Sequence, residues 1–145
     1  MEKEFVPYEL ALKLKALGFD EPCFGYYVDG ELRGVNLGIE ELGGVEPYYQ
    51  RFGFHTLSNH DIDNPNKIVV TAPTFSQAFR WFREKYNLDS FIKHLYKSTI
   101  KVGYYFGIDE YKGVEFYMDF DDYYNSPEEA ELECLKKLIE IVENK

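Results

Sequence analysis

The chain has 145 residues, 45% of them hydrophobic, a formal net charge of −10 and a pI near 4.8. That length buries a core without metal or disulfide staples, and that composition excludes an intrinsically disordered chain. The acidic balance argues against direct nucleic-acid binding, which needs clustered Lys and Arg, while permitting a basic protein partner or a plain solvated acidic surface.

The aromatic share is high at 18%, with 13 Tyr, 12 Phe and one Trp. Phe belongs to cores, whereas the Tyr hydroxyl wants water or a partner and is favoured at interfaces. Glu2-Lys3-Glu4 follow Met1 with no apolar h-region, and no run reaches the length of a membrane span, so a cytoplasmic protein without a membrane partner is expected. Cys23 and Cys134 form no metal spacing and read as buried thiols, so no metal or cofactor is expected.

In chain order, Pro7 opens a helix that runs to about Leu17, with Leu10, Ala11, Leu14 and Leu17 on one face. Gly18-Phe19 is its left-handed stop with a hydrophobic contact. Cys23–Val28 reads as a strand, Asp29-Gly30 as a tight turn, and Glu31–Leu37 as the returning strand. Residues 38–66 are a long irregular segment punctuated by Gly and Pro, a length that is functional, mobile or misread.

Lys67–Ala72 reads as a short strand, and Pro73-Thr74 opens a second helix with Phe75, Ala78, Phe79, Phe82 and Tyr86 on one face. Asn87-Leu88-Asp89 repeats the stop chemistry of Gly18-Phe19-Asp20. Strands are expected over Phe91–Tyr96, Lys101–Ile108 and Val114–Asp121, with turns near Lys97-Ser98 and Lys112-Gly113. The last helix starts at the Ser126 cap with Pro127 first and Glu129 closing a capping box. Its apolar arc, from Leu132 to Val142, is wider than one sheet face requires.

These elements predict a single α+β domain over 1–145, with a mainly antiparallel sheet of five or six strands and three helices mostly on one face. Gly25-Tyr26-Tyr27 and Gly103-Tyr104-Tyr105 hint at a helix–hairpin unit used twice, with coincidence the competing explanation.

Three segments together, Val6–Leu14, Gln77–Tyr86 and Glu129–Glu140, resemble small uncharacterised proteins of Bacteroides-group gut bacteria and of their phages and mobile elements. The resemblance covers the three helices and their order, leaves out 38–66, and carries no activity or functional residue. It implies an accessory-gene context of inhibitors, adaptors or host-modifying proteins.

Two constellations compete as the working site. His55, His60, Asp61 and Asp63 crowd one irregular segment, and with His94 they are the candidates for a metal-dependent or acid/base enzyme. Their spacing matches no metal signature, and Asn and Asp there also serve as turn formers. The acidic run from Asp109 and Glu110 through Glu115, Asp119, Asp121 and Asp122 lacks the graded oxygen spacing of a calcium loop and reads as a solvated edge. No glycine-rich phosphate loop or nucleophile elbow is present.

The aromatic doublets carry more. Neighbours on a strand face opposite sides, so Tyr26/Tyr27, Tyr104/Tyr105 and Phe116/Tyr117 each place one ring on each sheet face. If helices cover one face, the other is a contact surface for a protein partner or for self-association, or it is covered by residues 38–66. Trp81, beside Lys85 at i,i+4, flanks the core or anchors a partner. The expected function is a non-catalytic binding protein that engages another protein through its acidic surface and an aromatic sheet face, using Tyr26, Tyr27, Trp81, Tyr104, Tyr105 and Tyr117. Small-molecule or carbohydrate binding through stacked Tyr rings is the remaining alternative.

Overall fold

The computed structural model describes residues 2–34, 56–62, 64–110, 116–118 and 123–145. The fold is α+β, with three α-helices and antiparallel strands: α1 (Tyr8–Ala16), β1 (Gly25–Val28), β2 (Glu31–Gly34), β3 (Val69–Ala72), α2 (Phe75–Tyr86), β4 (Leu88–Lys97), β5 (Ile100–Glu110), β6 (Phe116–Met118) and α3 (Pro127–Glu143). The single sheet expected from the sequence is replaced by two sheets of three strands, ordered β2-β1-β3 and β4-β5-β6. The reason is a long-range pairing. β3 returns to the free side of β1, so the first sheet is complete on that strand, and the second hairpin pairs with β6 instead. The helices also do not share one face: α1 packs on the first sheet at β3, and α3 on the second at β4 and β5. Two compact units result, Met1–Gln77 and Ala78–Lys145.

In the first unit, α1 ends as its sequence predicts. Gly18 takes φ 94°, Phe19 N–H donates to the Leu14 carbonyl at 2.9 Å, and the Phe19 ring is buried, a helix stop with its hydrophobic contact. Asp29 (φ 48°) and Gly30 (φ 86°) form the two-residue turn between β1 and β2, which pair from Val28↔Glu31 to Gly25↔Gly34. β1 and β3 are buried along their whole lengths, which means both faces of this sheet are covered. One face carries Tyr27, Val70 and Ala72. Tyr27 meets the Tyr8 ring edge-on at 5.5 Å and donates its hydroxyl to the Val6 carbonyl at 2.8 Å. The other face carries Tyr26, Val28 and Val69, packed with Leu57 and Ile62.

That second cover comes from residues 56–62, the described part of the irregular segment. Cys23, expected to open β1, forms an isolated bridge with Leu57 instead. A 3-10 turn at Asn59–Asp61 follows, closed by a capping box between Ser58 and Asp61. Asn59 is buried and ties three elements: its amide donates to the Phe19 carbonyl at 2.8 Å, and its side-chain oxygen accepts from Thr71 N–H at 3.0 Å. Residues 35–55 and 63, including His55, Asp63 and the helical turn expected near Ile39–Leu42, lie outside the described residues.

α2 begins at a reciprocal cap. Gln77 N–H donates to Thr74 Oγ1 at 3.2 Å, while Thr74 N–H donates to Gln77 Oε1 at 3.0 Å. Its stop is Asn87, at φ 57°. In the second unit, β4 and β5 pair over their full lengths around a Ser98-Thr99 turn, with Ser98 at φ 58°. Leu95 opposes Gly103 but Tyr96 opposes Lys101, so the extra residue of this bulge is Val102, on β5. α3 opens at the expected Ser126 cap, whose Oγ accepts from Glu129 N–H at 3.2 Å. The Glu129 carboxylate, however, accepts from Asn125 N–H at 3.1 Å, one residue before the N-cap, in place of closing the expected capping box. Its buried face holds Ala130, Cys134, Leu135, Leu138, Ile139 and Ile141.

Candidate functional site

The two cysteines are structural. Burial pushes the Cys23 thiol up to about 12, against a lowering hydrogen bond from Thr71 and with Glu21 adding to the rise. Burial likewise pushes Cys134 up to about 12, with Ser90 lowering and Glu131 raising it. A thiol so far above neutrality supplies no nucleophile.

Of the acid/base candidates, His60 and Asp61 are brought together, with Asp20 as an unanticipated third member. His60 Nδ1 lies 2.6 Å from Asp20 Oδ2, and Nε2 lies 3.2 Å from Asp61 Oδ1. The His60 backbone N–H also donates to Asp20 Oδ1 at 2.8 Å. Both ring nitrogens thus face carboxylates, which favours the doubly protonated ring. The hydrogen bond to Asp20, then the charges of Asp61 and Asp20, raise the His60 pKa above 6.5. With Nδ1 on Asp20 and Nε2 on Asp61, both ring nitrogens are spent within the trio. Among the described residues, no group of three or more His, Cys, Asp or Glu side chains is arranged to hold a metal ion. This trio fastens the 56–62 strap to the loop after α1. His94 belongs to the second unit, where its exposed ring lies 4.8 Å from Tyr104.

The aromatic candidates divide. Tyr26 is fully buried, Tyr27 nearly so, and Trp81 is buried against Phe82 at 5.0 Å and Tyr86 at 5.3 Å, with Lys85 Nζ 5.0 Å from its ring centre. Expected contact roles for these three are corrected by their burial: they build the core. Tyr117 pairs with Ile108 through its backbone, and its side chain lies outside the described residues. Of the acidic run, Glu115, Asp119, Asp121 and Asp122 also lie outside them.

Tyr104 and Tyr105 remain half-exposed, and the structure places further rings and cations around them. On one face of the second sheet, α3 covers the end bearing Ile108 and Ser90. The far half of that face carries His94, Tyr104 and Tyr124, with Phe106 stacked on Tyr124 at 6.0 Å. Lys101 Nζ lies 4.5 Å over the Tyr104 ring and donates to its hydroxyl at 2.8 Å. Tyr96, 55% exposed, and Ile100, 68% exposed, project from the hairpin end.

The opposite face is built on glycine. A Cβ at Gly107 would run into the Phe91 ring, and one at Gly103 would meet the Tyr123 ring and the Tyr124 carbonyl at 2.7 Å. Two aromatic rings therefore occupy the space that side chains at these glycines would fill, with Tyr105 edge-on to Phe91 at 6.2 Å. Lys93 Nζ lies 4.8 Å over Phe91 and Lys97 Nζ 5.5 Å over Tyr123, which is 43% exposed. Among the described residues, these lysine heads lie above rings rather than in ion pairs.

The sequence reading passed over Lys93, Tyr96, Lys97, Ile100, Lys101 and Tyr123. A signal was available. Residues 90–108 contain Lys93, His94, Lys97 and Lys101 and no Asp or Glu, in a chain whose net charge is −10. The far half of the hairpin is a basic, aromatic island, while Asp89, Asp109 and Glu110 balance the lysines at its other end.

No protein-family model, curated protein or solved structure matches the chain. Among the described residues, no helix is long and apolar enough to cross a membrane.

Proposed function

We propose that this is a non-catalytic binding protein whose contact surface is the far half of the β4–β5 hairpin. The observation that carries the reading is the coincidence of exposed Tyr96 and Ile100 with Lys93, Lys97 and Lys101 in a stretch, 90–108, free of acidic residues, with exposed Tyr123 beside it under Lys97. Aromatic rings bring large contact area at small cost in side-chain entropy, and clustered like charge selects the sign of a partner. The His60 trio lends no support to catalysis, because both ring nitrogens are engaged.

The test is capture from host lysate by the wild-type chain, by Tyr96→Ser with Ile100→Ser, and by Phe24→Ser with Ile68→Ser. The last pair removes the large exposed apolar side chains of the first unit, 62% and 58% exposed. Loss of the captured partner in the hairpin variant alone supports the reading, provided circular dichroism shows both variants folded. Equal capture by all three chains contradicts it.

A further inference from the structure

The two sheets treat their outer edges differently. β3 is an outer strand of the first sheet, and two of its outward backbone groups are occupied: Asn59 accepts from Thr71 N–H at 3.0 Å, and Lys15 Nζ donates to the Val69 carbonyl at 3.3 Å. β4 is the outer strand of the second sheet and has β5 as its neighbour on one side. Tyr104 exchanges both backbone hydrogen bonds with Tyr124, at 2.9 and 2.8 Å, so its N–H and C=O point away from β4. His94, which opposes Tyr104, is therefore in a non-hydrogen-bonded pair, and its own N–H and C=O point outward. By alternation the same holds for Ile92. Among the described residues, nothing bonds the outer edge of the 92–97 stretch, and the bulge at Val102 spares it because the extra residue is on β5.

Edges left like this template the addition of another strand unless charge prevents it. Here the charge is selective. Lys93 and Lys97 stand on one face of β4 at i,i+4, and His94 and Tyr96 on the other. Two registers of a second copy are opposed, since antiparallel pairing of two β4 strands centred on Leu95 sets Lys93 against Lys97 twice and pairing centred on Lys93 sets like against like. The register centred on His94 sets Lys93 against Leu95 and gives neither lysine an acidic partner. A strand with acidic side chains at alternate positions turns the same lysines into cross-strand partners. Its other face then meets His94 and Tyr96. Nucleic acid would also meet lysines and rings, but a sugar–phosphate backbone cannot run as a strand along a free N–H/C=O edge.

Building on the hairpin as contact surface, we infer that the occupant is an extended acidic polypeptide segment that pairs with the outer edge of β4 and adds a fourth strand to the second sheet. The probe is a short synthetic peptide alternating Glu with Val, labelled for fluorescence anisotropy. Three comparisons accompany it: the same peptide with Lys for Glu, the Glu peptide N-methylated at alternate residues, and a single-stranded oligothymidine.

The expected result is binding of the Glu peptide only, weakened about tenfold by Lys93→Glu with Lys97→Glu, a double variant that in turn prefers the Lys peptide. That exchange of preference shows that the variant still folds. Equal binding of the N-methylated peptide overturns strand addition while leaving the hairpin as contact surface. Tighter binding of oligothymidine, or concentration-dependent dimerisation that displaces the Glu peptide, assigns the edge to nucleic acid or to a second copy and overturns the inference. Failure of every probe overturns it as well; the hairpin reading falls only if lysate capture also survives the Tyr96→Ser, Ile100→Ser variant.

Discussion

Both central strands carry Gly-Tyr-Tyr, and the two tyrosine pairs meet opposite fates. In β1, Tyr26 and Tyr27 are buried on both faces, one under the 56–62 strap and the other against Tyr8 and Val6. In β5, Tyr104 and Tyr105 are half-exposed, shielded by other rings and by lysine stems. The tripeptide itself does not decide between core and surface. What decides is whether the chain supplies a second layer over that face, and the first unit does so with the 56–62 strap, tied down by buried Asn59. The motif also falls on the first strand of one hairpin and the second strand of the other, so it marks a central strand rather than a duplicated helix–hairpin unit.

The sharpest way to break this comparison is to remove a ring from each strand. Tyr26→Ser empties a fully buried site and is expected to cost about 3–5 kcal/mol, read by chemical denaturation. Next in size are the glycines of β5. Gly103→Ala drives a Cβ toward the Tyr124 carbonyl and is expected to lose about 1–3 kcal/mol. Gly107→Ala meets only the movable Phe91 ring and should lose less. Tyr96→Ser sharpens the contrast from the other side. Its ring is 55% exposed, so stability should change by no more than about 0.5 kcal/mol while partner capture falls.

The smallest effect concerns the strap. His60 has its pKa raised above 6.5 by Asp20 and Asp61. The stabilisation is therefore complete below the unfolded value and is lost as pH rises through the higher folded value. Hydrogen exchange at Asn59–Ile62, corrected for its intrinsic pH dependence, should accelerate over that window in the wild type and show no such step in His60→Gln.

Much of the fold was legible. The helix stops at Gly18 and Asn87, the Ser126 cap and both hairpin turns are local chemistry, written in a few adjacent residues. Splitting of the strands into two sheets was not, because it depends on β3 pairing with β1 across forty residues of sequence whose pattern resembles any apolar strand. The site was half legible for the same reason. Tyr doublets announce rings on both faces, but burial of Tyr26 depends on Leu57 and Ile62, distant in sequence. The acid-free stretch 90–108 was readable as charge patterning, yet attention to the whole-chain charge obscured it.

The contrast between the strands is tested most directly by nitrating the native protein under limiting reagent and locating the modified tyrosines by mass spectrometry. Tyr96, Tyr104 and Tyr123 are predicted to react while Tyr26 and Tyr27 stay unmodified until the protein unfolds. Reaction of Tyr26 and Tyr27 at rates matching the hairpin tyrosines would contradict the account, because neither sheet would then hide its rings.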